Sequence, residues 1–133
     1  MIHIKLLCAG RIKEKYYTEA ANQYIKRLGA YASVTVTEVK EERIPENASR
    51  ARIDDALKKE SEALKAPRGA FTVALCTEGD ELTSGEFAKV LTGANNSMLC
   101  FIIGSSNGLH DSVKDAAHLR LSLSRMTLPH SLA

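Results

Sequence analysis

Residues 97–103, Ser-Met-Leu-Cys-Phe-Ile-Ile, form the most apolar stretch of the chain. A run of this length without alternation reads as a strand buried on both faces, which requires a sheet with a covering layer on each side. The chain of 133 residues fits one domain around one such sheet, and its 44% apolar and 26% charged residues are ordinary for a globular protein.

The flanking pattern supplies the rest of that sheet. Ile2–Ala9 alternates and then becomes continuously apolar, as a strand entering a covered sheet does, and Gly10 ends it. Tyr17, Ala20, Ala21, Tyr24, Ile25 and Leu28 recur at helical spacing over 14–28, closed by Gly29. Val34, Val36 and Val39 mark a second strand, and the polar "KEERIPENAS" loop follows. A helix is expected from Ser49 to about Lys65, with a stripe of Ile53, Ala56, Leu57 and Leu64, and then a third strand over Phe71–Cys76. Thr83-Ser-Gly-Glu86 has capping-box spacing, so a helix is predicted over Ser84–Leu91. After the apolar run, the loop Gly104–Gly108 leads to a short helix with Asp111 and Asp115 in its first turn, and Leu119, Leu121 and Leu123 alternate as a last strand. The order βαβαβαβαβ predicts an α/β fold: a mostly parallel sheet with helices on both faces.

Such sheets bind ligands beyond the carboxyl ends of their strands. Three segments meet that description: Leu75–Gly79, Gly104–Gly108, and Ser124-Arg-Met-Thr-Leu-Pro-His130. Familiar templates are missing. There is no G-x-G-x-x-G after the first strand, as a generic dinucleotide-binding domain requires, no Walker loop, no G-x-S-x-G and no paired histidine spacing for a metal. Cys8, Cys76 and Cys100 lie in separate apolar runs and read as buried thiols. Net charge is only +2, yet Lys5, Arg11, Lys13, Lys15, Lys26 and Arg27 crowd the first 30 residues, which suits either a polyanion or a solvated helix face. The amino terminus lacks the pattern of a secretory signal and no run is long enough to span a bilayer, so a cytoplasmic protein is expected.

Taken together, "GRIKEKYYTEAANQYIKRLGAY" (10–31), "IIGSSNGLH" (102–110) and "LSLSRMTLPH" (121–130) resemble the ribosomal RNA large subunit methyltransferase H family of the SPOUT, or α/β-knot, class, in register over essentially the whole chain. The resemblance implies a cytoplasmic homodimer, free of metal, that uses S-adenosylmethionine to methylate N3 of a pseudouridine in 23S ribosomal RNA. It implies cofactor contacts at Leu75, Gly104, Leu123, Ser124, Arg125, Met126, Thr127 and Leu128. His130 is the candidate base for the imide proton, or else orders the Pro129 turn. Arg125 is a candidate for RNA phosphate or the cofactor carboxylate, or is a surface arginine. Lys13, Lys15, Lys26 and Arg27 are candidate RNA contacts.

Two departures from the family pattern stand out. Ser105 replaces the second glycine of an Ile-Gly-Gly opening, and the family continues past Pro129-His130 with an apolar helix that threads the knot and covers the dimer interface. The expectation is therefore a single SPOUT-like domain over 1–133, apparently shortened at its carboxyl end. The alternative function is a catalytically impaired homologue acting as a ribosome-binding or dimerisation module.

Overall fold

The computed structural model describes residues 1–95 and 97–133. Its elements follow the expected order: β1 (Ile2–Ala9), α1 (Lys15–Leu28), β2 (Ala32–Val39), α2 (Arg50–Ala63), β3 (Phe71–Glu81), α3 (Ser84–Gly93), β4 (Met98–Ile103), α4 (Asp111–Ala116) and β5 (Leu119–Ser122). All pairings are parallel, in the spatial order β2-β1-β4-β3-β5. The apolar run forms β4, the middle strand, with β1 and β3 on its two sides.

That strand order decides where the helices lie. Crossovers between parallel strands are right-handed, and the chain moves in opposite directions along the sheet in alternate connections, so α1 and α3 cover one face and α2 and α4 the other. Packing agrees with this assignment. Leu7, Ala9, Ala74, Cys100 and Ile102 point to one face and form the core with Leu64, just beyond α2, and Val113 of α4. Phe101, of opposite parity to Cys100 and Ile102, meets Phe87 of α3 edge to face at 6.2 Å between ring centroids. The α1/α3 layer is the thinner one, since neither helix contains a fully buried residue.

Local chemistry sets the helix starts. Thr83 Oγ1 accepts the Glu86 backbone N–H and the Glu86 carboxylate accepts that of Thr83, both at 3.1 Å, completing the expected capping box. Ser49 caps α2 by accepting from the Arg52 N–H at 3.2 Å.

Several details differ from expectation, among them α3, which runs to Gly93 rather than Leu91. β3 continues past Cys76 to Glu81, because β5 pairs with it twice: Leu121 lies opposite both Leu75 and Asp80, and residues 76–79 bulge between them. β5 stops at Ser122, one residue before Leu123, because the Ser122 hydroxyl donates to the Ser124 carbonyl at 2.9 Å and turns the chain. In α4 the first turn contains Asp111 but not Asp115.

Candidate active-site cleft

Beyond the carboxyl edge of the sheet, the three expected segments meet around a cleft of about 350 Å³. One wall comes from Leu75 to Glu78 of the β3 bulge, the second from Ile103 to Leu109, and the third from Leu123, Ser124, Met126, Thr127, Leu128 and His130. Convergence follows from topology. β4, β3 and β5 are neighbours and parallel, so their carboxyl ends lie side by side.

The glycine loop is folded tightly on itself. A Cβ on Gly104 would lie 2.3 Å from the Gly108 carbonyl oxygen, so only glycine allows this approach. The Gly108 N–H donates to the Ser105 carbonyl at 2.9 Å, and Gly108 adopts φ +85°, closing a turn that exposes Ser106 and Asn107. Ser105, the departure from the family's glycine, is accommodated: it is buried, and its hydroxyl donates to Glu60 Oε1 of α2 at 3.2 Å. The third wall is organised by Ser124, whose Oγ accepts the Met126 N–H at 3.0 Å.

Seven of the eight expected cofactor positions line the cleft; Arg125 does not. Its side chain is 91% exposed, and Nε donates to Glu81 Oε1 at 2.8 Å. His130 lies on the lining, with Nε2 3.2 Å from where a Cβ of Gly10 would stand and Nδ1 buried without a hydrogen-bond partner among the described residues. The Pro129 turn is held by main-chain bonds from the Leu132 and Ala133 N–H groups to the Pro129 carbonyl, so the imidazole is not needed to close it.

One charged lining residue lies outside the three segments expected from the sequence. Lys114 of α4, with its side chain 18% exposed, forms an ion pair with Glu78 and lies 3.6 Å from Asp111. The hydrogen bond from Lys114 holds the Glu78 carboxyl below the usual carboxylate range. Burial pulls the Lys114 ammonium down, but the bond to Glu78 and the charges of Glu78 and Asp111 outweigh it, and the net shift is upward. A charged residue on a short helix one turn past Asp111 carries no local signal of this role; only the β3 bulge brings Glu78 to it.

Of the three thiols, Cys100 is fully buried, whereas Cys8 and Cys76 are half-buried, and Cys76 faces the cleft. Burial, reinforced by Glu38, pushes the Cys8 thiol up to about 11, and burial raises Cys76 and Cys100 as well. None has the lowered thiol pKa of a nucleophilic cysteine.

The cationic residues of the first helix form two groups. Lys13 and Lys15 lie at the start of α1, and Lys15 is 4.0 Å from Glu19. Lys26 and Arg27 lie in the last turn, where the Arg27 guanidinium stands 5.7 Å from the centre of the Tyr24 ring. At 1.5 Å of rise per residue the two groups are ~16 Å apart along the helix axis.

A parallel sheet whose adjacent strand ends form one tight cleft is common to many ligand-binding folds, and family membership decides among them. Residues 2–133 match the family model described as "Predicted SPOUT methyltransferase". The chain belongs to the SPOUT methyltransferase family. Among curated relatives of this SPOUT chain, the ribosomal RNA large subunit methyltransferase H of Pelotomaculum thermopropionicum is 42% identical, over 99% of this chain and 86% of the relative. The protein of that name from Carboxydothermus hydrogenoformans is 41% identical over 98% and 86%, and that from Streptococcus uberis 37% identical over 97% and 84%. The resemblance read from the three motifs is thus borne out, and with it the SPOUT-type α/β fold.

Proposed function

We propose that this chain methylates large-subunit ribosomal RNA, at N3 of a pseudouridine of the 23S molecule, with S-adenosylmethionine as donor. The observation that carries the reading is the meeting of Leu75–Glu78, Gly104–Gly108 and Leu123–His130 on one cleft in a SPOUT chain. Relatives named for ribosomal RNA methylation, matched over nearly the full chain, support the substrate.

The residues present suit the cofactor. The cleft falls within the ~300–1,000 Å³ range of small-molecule and cofactor pockets and combines apolar walls with main-chain polar groups. When bound, S-adenosylmethionine supplies an electrophilic methyl group on a sulfonium sulfur. Leu75, Leu123, Met126 and Leu128 would offer apolar contact to an adenine, and main-chain groups of the glycine loop and of 124–128 would be available to its polar atoms. Methyl transfer to the imide nitrogen consumes charge, so holding donor and acceptor in line contributes more than a charged catalyst does. His130, on the cleft lining, is the residue that would accept the N3 proton. Arg125, turned outward, and Lys13, Lys15, Lys26 and Arg27 contact RNA phosphate.

The enzyme acts in the cytoplasm as a homodimer. Leu123, Met126, Leu128 and Leu132 are exposed at the cleft end of the molecule, and the α1/α3 layer leaves Ile12, Tyr16, Tyr24 and Leu28 exposed, a quantity of apolar surface that suits a partner subunit. No helix among the described residues is long and apolar enough to cross a membrane.

Transfer of a tritiated methyl group to ribosomes from a strain lacking the endogenous enzyme tests this reading. Label in large-subunit RNA, located at N3 of a pseudouridine by mass spectrometry, is the expected result. Ribosome association without label would instead establish a non-catalytic binding module.

A further inference from the structure

The back of the glycine loop rests on a carboxylate. Glu60 is 3% exposed and occupies a core position of α2, one turn beyond Ala56 and Leu57 and one turn before Leu64. Its Oε1 accepts from the Ser105 hydroxyl at 3.2 Å and its Oε2 from the Glu42 backbone N–H at 2.8 Å. Among the described residues it has no cationic partner, and the nearby charges of Glu41 and Glu42 are of like sign. Burial, opposed by these two hydrogen bonds, raises its pKa. A leucine would fill a helix-core position at lower cost, so packing alone does not account for a carboxylate here.

Its two oxygens join the glycine loop, which lines the cleft, to the 41–42 segment, which lies outside the lining. Ser105 follows Gly104 in the loop that lines the cleft. Glu42 follows Glu41, whose carboxylate oxygen lies 2.9 Å from where a Cβ of Gly10 would stand, with His130 Nε2 against the same glycine. We propose that Glu60 is a positioning residue that locks the glycine loop through Ser105 and couples its conformation, through the Glu42 main chain, to the Glu41–Gly10–His130 cluster, of which His130 lines the cleft. The proposal rests on the reading of this cleft as the cofactor site, and it adds a group that never touches the ligand.

Amide hydrogen exchange resolved along the chain, with calorimetric titration of S-adenosylmethionine, tests it on the full chain and on Ser105→Ala, Glu60→Gln and Glu60→Ala. In Ser105→Ala, exchange should accelerate roughly three- to tenfold, the range of one hydrogen bond, at residues 104–109 and also at 41–44, which the substituted side chain does not contact. Glu60→Gln should keep near-parental exchange, since its carboxamide oxygen accepts from Glu42 and its NH2 group donates to the Ser105 oxygen. Unchanged exchange at 41–44 in Ser105→Ala overturns the coupling, and so does a Glu60→Gln protein that exchanges as fast as Glu60→Ala. If Glu60→Ala does not fold, acceleration of either segment in Glu60→Gln takes its place as the overturning result. Calorimetry separates the two levels. A parental chain that binds no S-adenosylmethionine defeats the cofactor reading and leaves the exchange experiment to decide the coupling. A parental chain that binds, with Ser105→Ala binding equally well, defeats the positioning role.

Discussion

At the scale of single residues, Gly104 bears the severest steric demand in the cleft. Gly104→Ala would drive a methyl group into the Gly108 carbonyl and displace the loop that lines the cleft. The expected result is a loss of kcat/KM of roughly a hundredfold, the cost of an ångström-scale misplacement, read in the methyl-transfer assay. His130→Gln should lower kcat by roughly 10² while leaving the affinity for S-adenosylmethionine near parental, because the main chain alone closes the Pro129 turn. Much of the lining was legible in the sequence because it lies where parallel strands end. Arg125 was not, because Ser124 bends the backbone and sends the guanidinium out to Glu81 while its neighbours face in. Lys114 was not legible either, since its partner comes from a bulge that no local pattern announces.

At the scale of elements, reliability followed local chemistry. The capping box at Thr83 and the apolar run of β4 are self-contained signals, and both elements formed where they were expected. β3 and β5 were misjudged at their carboxyl ends because their pairing there depends on each other. Thr83→Ala removes one hydrogen bond of the box and should cost about 1 kcal/mol of stability, measurable as a lower urea midpoint at unchanged slope. For α2, the buried Glu60 makes a pH prediction. Its pKa is raised above the ordinary 4.5, by burial first and then by Glu41 and Glu42 against its hydrogen bonds, so the folded chain keeps this proton to higher pH than the unfolded chain does. Stability from this group is therefore fully present below pH 4.5 and is lost as pH rises through the folded value. Glu60→Gln does not titrate, so its melting temperature should gain on that of the parent between pH 4.5 and neutrality. A gap that narrows with rising pH would contradict this.

On the scale of the whole molecule, a formal charge of only +2 conceals two basic groups at the ends of α1, ~16 Å apart along its axis. An RNA that spans the helix would meet both groups. Replacing Lys13 and Lys15 with alanine, or Lys26 and Arg27 with alanine, should reduce the salt slope of RNA binding by roughly 1 per residue and weaken all sequences about equally. A slope unchanged in both variants would remove α1 from the RNA interface. The order of the strands has a consequence for how the molecule is made. β1 is synthesised first, yet it lies between β2 and β4, with His3 opposite Met98. At translation speeds of about 5–20 residues per second, the first strand waits roughly 5–20 s for its second neighbour to be synthesised. During that interval the nascent chain holds an apolar strand with one side unpaired, the kind of exposed edge that chaperones shield.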